Sequence, residues 1–313
     1  MAVAFVFPGQ GSQTVGMGKA LADSFAPARQ VFAEVDEALG EALSRTIFEG
    51  PETLTLTQNA QPALMAVSLA VMRVLAAEAG LNLGKDARFV AGHSLGEYSA
   101  LAAAGTFSVA DAARLLRTRG LAMQKAVPVG VGAMAALIGL EYDAAAAVAA
   151  EAAQSEVCQA ANDNGGGQVV VSGNKAAVER AVEIAKGKGA KRAMLLPVSA
   201  PFHCALMQPA AEVMAEALAK VQVKPPVVPV VSNVRATALT DPADIVKALV
   251  AQVTGTVRWR ESVAYMAAEG VTRFYEIGAG KVLSGLIKRI ADGASASAVG
   301  TPDDIAAFKA ATS

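Results

Sequence analysis

Short runs rich in β-branched and aromatic residues alternate along this chain with alanine-rich runs of helical period, and no other feature narrows the fold as far. Such alternation predicts an α/β protein with a mostly parallel sheet, because each parallel pair needs a crossover that a helix supplies. Residues 3–7 read as a strand, followed by a glycine-rich loop and helical stretches to about 79. Residues 88–91 read as a short buried strand running into Gly92-His93-Ser94. A helix then continues to 104 and stops at Gly105, and another runs from Ser108, a good N-cap, to about 125. From 126 to 200 the rhythm changes: strand 133–140, helix 142–153, strand 157–161, a turn over Asn162-Asp163-Asn164-Gly165-Gly166-Gly167, strand 168–172, helix 175–186 and strand 192–198. That βαββαβ order is the ferredoxin-like split unit, predicted as a small domain (126–200) inserted into a larger one (1–125 and 201–313). The first rhythm returns with strand 227–232, helices 242–253 and 261–269, strand 273–277 and helix 282–290. The tail after Asp292 is small and polar and is assigned no function, and no repeat of roughly 20–50 residues is seen.

Composition removes several function classes. The chain has 53% hydrophobic and 18% charged residues, which excludes a disordered chain. Its 27 basic and 28 acidic side chains nearly cancel, so no nucleic-acid partner is expected. Two cysteines, Cys158 and Cys204, and two histidines in all are too few for a disulfide framework or a histidine-rich metal centre, and no metal is expected. The N-terminal apolar stretch lacks a basic leader region and is cut off by Pro8-Gly9, so it reads as a strand rather than a signal peptide. The longest nearly apolar run, 64–72, falls far short of the ~20 residues that cross a bilayer. A cytoplasmic protein with reduced thiols and no membrane partner is expected.

Gly92-His93-Ser94-Leu95-Gly96 fits G-x-S-x-G between strand and helix, where a serine stands on a sharp turn and the helix N-terminus points its N–H groups at it. The N–H of Leu95 is then a natural oxyanion donor; the bland reading of the pentapeptide is a turn packed with small residues. A serine nucleophile needs a base. His93 is its neighbour, and adjacent side chains in such a turn point apart, which leaves His203, otherwise a lone histidine at an interface. No downstream carboxylate stands out as the orienting third member, so a backbone carbonyl is expected to serve. The loop Pro8-Gly9-Gln10-Gly11-Ser12-Gln13 fails as a dinucleotide fingerprint, with Thr14 where a third glycine belongs. It also fails as a P-loop, with Met17-Gly18 after Gly16 in place of Lys and Ser/Thr. Either the N–H of Gln10 is the second oxyanion donor or the loop is a tight turn without a ligand. On the helix from Ser108, at about 100° per residue, Arg119 falls in the apolar stripe of Ala112, Leu116 and Met123, with Arg114 and Arg117 opposite. A buried guanidinium needs an anion: an internal acidic residue, or the free carboxylate of an acyl substrate.

Taken together the residues resemble a family, the malonyl-CoA:acyl carrier protein transacylases, close relatives of the acyltransferase domains of fatty acid and polyketide synthases. The likeness runs nearly end to end. It rests on Phe7-Pro8-Gly9-Gln10-Gly11-Ser12-Gln13, Gln58-x-x-Gln61-Pro62-Ala63, Gly92-His93-Ser94-Leu95-Gly96-Glu97, Arg119-Gly120 and Phe202-His203. Ser232-Asn233, Val257-Arg258-Trp259 and Glu276-x-Gly278-x-Gly280-Lys281-Val282-Leu283 belong to it as well. The resemblance implies an α/β-hydrolase-like large domain with a ferredoxin-like insert. It implies Ser94 as nucleophile, His203 as base, Arg119 as the clamp on the malonyl carboxylate, and the N–H groups of Gln10 and Leu95 as oxyanion hole. It further implies that the carbonyl of Gln252 orients the histidine, that Gln61, Asn162 and Met123 neighbour the pocket, and that Phe202 crowds out an α-methyl branch. Two departures stand out: Ala279 where many relatives have proline, and Gly255-Thr256 in place of a Ser-Pro pair, which is expected to loosen the loop holding Gln252.

The expectation is therefore a serine acyltransferase that moves malonyl from malonyl-CoA to the phosphopantetheine thiol of holo-acyl carrier protein, needs no cofactor and works as a monomer in fatty acid or polyketide synthesis. The resemblance implies an acidic carrier, and Lys186, Lys188, Lys191, Arg192, Lys281 and Lys288 are candidates to receive it or simply a solvated face. Two rivals share the fold: a serine hydrolase or thioesterase acting on acyl-CoA, and a carrier-binding module without activity.

Overall fold

The computed structural model describes residues 2–312, with Glu52 by its backbone alone. From the N-terminus, β1 (Ala2–Phe7) leads to α1 (Lys19–Ser24), α2 (Ala26–Leu39), α3 (Leu43–Glu49), α4 (Thr57–Ala79) and the single turn α5 (Leu83–Asp86). Then come β2 (Phe89–Gly92), α6 (Gly96–Ala103) and α7 (Val109–Ala126). The middle of the chain is β3 (Gly132–Ile138), α8 (Tyr142–Ala153), β4 (Cys158–Asp163), β5 (Gln168–Asn174), α9 (Lys175–Gly187) and β6 (Arg192–Leu195). The last third holds α10 (Gln208–Leu218), β7 (Val230–Val231), β8 (Ala238–Leu239), α11 (Pro242–Thr254) and α12 (Trp259–Ala268). It closes with β9 (Val271–Ile277), α13 (Val282–Ile290), β10 (Ser295–Val299) and α14 (Pro302–Thr312).

Two sheets result. The larger has the order β10-β9-β1-β2-β7-β8, parallel throughout except for β8, which returns antiparallel on β7. β1 lies inside it and is covered on both faces, which is why it reads as one unbroken apolar run. The smaller sheet, β4-β5-β3-β6, is wholly antiparallel and carries α8 and α9 on its own apolar core. The α/β-hydrolase-like architecture with a ferredoxin-like unit stands as expected.

What positions the site is the register of the inner strands. β1 and β2 run parallel with Phe7 beside Gly92, so the loops leaving both carboxyl ends emerge side by side. In open parallel sheets that is where ligands bind. α4 lies beneath and is buried nearly all round. By length and composition it is the one helix among the described residues apolar enough to cross a membrane, yet 83% of its most apolar stretch is inside the protein. It is the core helix of this fold.

Several elements differ from expectation. The tail after Asp292 is structured: β10 extends the large sheet on the outer edge of β9, and α14 buries Ile305 and Phe308. Its alternation, Ser295-Ala-Ser-Ala-Val299, was too small in side chain to read as a strand. α10 escaped notice because Ala210, Ala211, Met214 and Leu218 make a helical stripe largely of small residues. Asn162 and Asp163 end β4 rather than form the turn, and Asn162 makes a parallel bridge to Val257, tying the smaller sheet to the loop between α11 and α12. The segments 192–198 and 227–232 shorten to β6 and β7, with a proline that has no N–H for the ladder two residues after β6 (Pro197) and directly before β7 (Pro229).

Candidate active site

The sharp turn after β2 exists because two glycines let backbone touch backbone. A Cβ on Gly92 would lie 1.9 Å from the Gly96 carbonyl carbon, and one on Gly96 would lie 2.2 Å from the Phe7 carbonyl oxygen. No side chain fits at either place. Between them Ser94 is held at φ 54°, a left-handed conformation that a non-glycine residue adopts only when its surroundings impose it. Asn233 imposes it: its Oδ1 accepts from the Ser94 N–H at 2.7 Å and its Nδ2 donates to the Gly92 carbonyl at 2.6 Å.

His203 meets the serine from the segment between β6 and α10, also with positive φ, 59°. Its Nε2 is 2.7 Å from Ser94 Oγ, and its Nδ1 is 2.9 Å from the main-chain carbonyl oxygen of Gln252 in α11. A carbonyl only accepts, so Nδ1 carries the proton and Nε2 is left free to accept from the serine. Burial, and then the charge of Arg119, push the imidazole down to about 3, so it stands neutral at neutral pH. His93 is turned elsewhere, with Nε2 at 2.8 Å from Asn164 Oδ1 and its ring against Trp259.

Arg119, 1% exposed, projects from α7 into the same place. Its Nη1 donates to Gln61 Oε1 at 2.8 Å, and its Nη2 donates to Gln252 Oε1 at 2.8 Å and to Ser94 Oγ at 3.2 Å. All three acceptors are neutral. Among the described residues no acidic side chain pairs with it directly; the charge of Glu97 acts on it from behind Gln252. Burial lowers its pKa, opposed by Tyr98 and Glu97, and Nε has no acceptor. The internal ion pair that would explain a buried arginine is therefore missing. The two arginines on the opposite side behave as peripheral residues: Arg114 pairs with Asp111, and the half-buried Arg117 with Glu41 and Asn59.

These groups line one cavity of about 650 Å³ between the two sheets. Gln10, Gln61, Ser94, Leu95, Arg119, Met123, Asn162, Phe202 and His203 all face it. Gln252 stands behind the wall. Neither the N–H of Gln10 nor that of Leu95 is taken by a backbone acceptor among the described residues. Met134, Val170 and the segment 196–198 complete an apolar side contributed by the smaller sheet and the strand leaving it.

Sequence reasoning passed over three participants. The side chain of Gln252 works as well as its carbonyl: Nε2 donates to the Ser94 carbonyl at 2.9 Å and to Glu97 Oε2 at 2.7 Å. Asn233 and Glu97 stood in the motifs without a role; Glu97, wholly buried, also receives the Asn233 N–H at 3.2 Å. Burial raises its carboxyl to about 7 against the hydrogen bond from Gln252. The only signal available was a glutamate in an otherwise apolar first helical turn. The loop after Gln252 is pinned rather than loosened, because Thr256 Oγ1 donates to Ala160 O at 2.7 Å and Val257 N to Ala161 O at 2.8 Å. The basic residues divide: Lys186 and Lys188 are held in exposed ion pairs with Glu183 and Glu151, while Lys281 follows Gly280, which packs against Ser12 of the Gln10 loop.

Comparison with known proteins gives the family and the fold. Residues 4–307 match the family model described as acyl transferase domain. The chain is 51% identical over 305 residues to the malonyl CoA-acyl carrier protein transacylase of Escherichia coli (strain K12), covering 97% of each chain. It is 49% identical to the protein of that name from Bacillus subtilis (strain 168), covering 97% of this chain and 95% of the other. Among solved structures, the acyl-carrier-protein-S-malonyltransferase of Bartonella henselae superposes with a TM-score of 0.97 at 59% identity, covering 100% and 99% of the two chains. A malonyl-transacylase in complex with its type II PKS acyl-carrier protein superposes with a TM-score of 0.96 at 43% identity, covering 99% and 100%.

Proposed function

The chain belongs to the acyl transferase domain family, and on that premise we propose that it moves a malonyl group from malonyl-CoA to the phosphopantetheine thiol of acyl carrier protein through an ester on Ser94. One observation carries the reading: a fully buried arginine with no carboxylate partner among the described residues stands within hydrogen-bond distance of a serine paired with a neutral histidine. A pocket for acyl groups in general gains nothing from such a charge; an acyl group ending in a carboxylate does.

In the proposed cycle the malonyl carboxylate docks on Arg119 and takes the Nη2 hydrogen now given to Ser94 Oγ. That frees an oxygen lone pair for attack, and partial neutralisation of Arg119 makes His203 a better base. His203 Nε2 takes the hydroxyl proton as Oγ bonds to the thioester carbon, and the resulting oxyanion lies against the N–H groups of Gln10 and Leu95. The C–S bond breaks, the proton passes from His203 to the departing thiolate, and the malonyl ester remains on Ser94. The carrier thiol then repeats the steps in reverse, giving its proton to His203 and displacing the serine. These residues perform the whole sequence without a metal or redox group. Cys158 and Cys204 are both free thiols, which suits the reducing cytoplasm in which we place the protein.

Intact mass after mixing with malonyl-CoA, then acetyl-CoA, tests the reading. A malonyl adduct on the wild type, none on Ser94→Ala, and loss of malonyl preference in Arg119→Ala are expected. An adduct that survives in Ser94→Ala sinks the scheme. Hydrolysis of the adduct outpacing transfer to carrier protein would make the chain a thioesterase instead.

A further inference from the structure

The arginine and the candidate oxyanion loop are joined by an unbroken run of hydrogen bonds whose direction is fixed at one end. A guanidinium only donates, so Arg119 Nη1 requires Gln61 to present its oxygen, at 2.8 Å. Gln61 Nε2 is thereby turned to Thr57 Oγ1, at 3.0 Å, with a second, weaker contact to Met123 Sδ. Having accepted there, the Thr57 hydroxyl sends its one hydrogen to Gln10 Oε1, at 2.8 Å. Flipping the Gln61 amide would set donor against donor at Arg119. Thr57 is wholly buried at the first residue of α4, one helical turn from Gln61, whereas Gln10 is exposed in a loop. The threonine is thus the point at which an exposed loop is tied to a long, largely buried helix.

We propose that Thr57 is a positioning residue for the oxyanion hole: its hydroxyl fixes the Gln10 side chain, and through it the direction of the Gln10 N–H toward the reacting carbonyl. The inference rests on the serine-ester reading above. A donor aimed at developing charge stabilises the transition state and not the bound thioester, so its misalignment lowers kcat and leaves KM largely alone. The oxyanion forms on any thioester, with or without a terminal carboxylate. Disturbing Thr57 should therefore slow malonyl and acetyl transfer by the same factor, whereas damage to the Arg119 clamp would fall on malonyl alone.

The test is single-turnover formation of the Ser94 ester by rapid quench and intact mass, on the full chain, with malonyl-CoA and acetyl-CoA. Thr57→Val should lower the maximal rate about tenfold for both substrates, a partial loss beside the ~10²–10³ of removing a whole donor. The half-saturating concentration should stay within about twofold, and Thr57→Ser, which keeps the hydroxyl, should restore the rate. Gln10→Ala, an exposed change that spares the core, should show the same loss, and the double variant should be no slower than either single one. It decides the matter if Thr57→Val folds poorly. Wild-type rates in Thr57→Val or Gln10→Ala, or a loss confined to malonyl-CoA, overturn the proposal. Absence of any ester on the wild type would instead overturn the underlying reading.

Discussion

At the residue scale, the site is governed by where charge is allowed to sit. His203 is buried beside a guanidinium, and both influences favour its neutral form. A base with a lowered pKa stays unprotonated to lower pH, so acylation should persist well below the 6.5 of an ordinary histidine. The acid limb of kcat/KM for malonyl-CoA, followed as Ser94 ester formation, is expected far under 6; a limb centred at 6.5 would contradict the burial argument. Glu97 has the opposite shift, from 4.5 to about 7 by burial. A carboxyl that holds its proton more tightly when folded stabilises the fold fully below the unfolded value and loses that contribution as pH rises through the folded one. Unfolding free energy should therefore decline between pH 4.5 and about 7, by on the order of 3 kcal/mol. In Glu97→Gln, whose oxygen can still accept from Gln252, denaturant titrations across that range should show the slope removed. Three residues that meet in the cavity were legible in advance: Ser94 by its turn motif, Arg119 by its place on an apolar helix face, and His203 because the chain has only one other histidine. Thr57 broke none, since a threonine opening a helix is ordinary, and Asn233 gave no sign that it would hold an elbow on another strand.

At the scale of elements, β2, the turn and α6 act as one unit whose shape depends on missing side chains. The approaches at Gly92 and Gly96 are to backbone, which cannot move aside as a flexible side chain would. Gly96→Ala should cost about 1–3 kcal/mol from overpacking and, by shifting Ser94 away from His203, abolish ester formation. Circular dichroism with denaturant and intact mass would check both; an active Gly96→Ala enzyme would show that the turn has room. The strand, elbow and helix were readable because turn chemistry and helix caps are local: Ser108 caps α7 by accepting from the Asp111 N–H, as expected of that residue type. The ends of β6 and β7 were not, because strand length depends on which neighbours remain to pair with.

For the whole molecule, stability and chemistry are drawn from different parts of the chain. The C-terminal α14 sets Phe308 on Tyr275 and Phe5, with ring centroids 4.7 and 6.2 Å apart, closing the core over β9 and β1 beside the sheet edge that β10 forms. Phe308→Ala should cost about 3–5 kcal/mol in urea or thermal unfolding, while Ser94 acylation at room temperature stays within about twofold of wild type. A large loss of acylation in the folded variant would mean the edge and the cavity are coupled. The cavity lies between the two sheets, and the smaller one is tied to the loop after α11 where Asn162 bridges Val257 and Thr256 reaches Ala160. Sequence alone determined the alternation of elements, the elbow and the residue types of the chemistry, because period, caps and glycine requirements act within a few residues of the chain. Only the tertiary structure decided that Arg119 has no acidic partner among the described residues, that Gln252 serves two masters through its carbonyl and its amide, and that α14 is core. Those outcomes depend on which groups meet from distant parts of the chain, and a hydrogen bond or buried charge is settled by its neighbours in space.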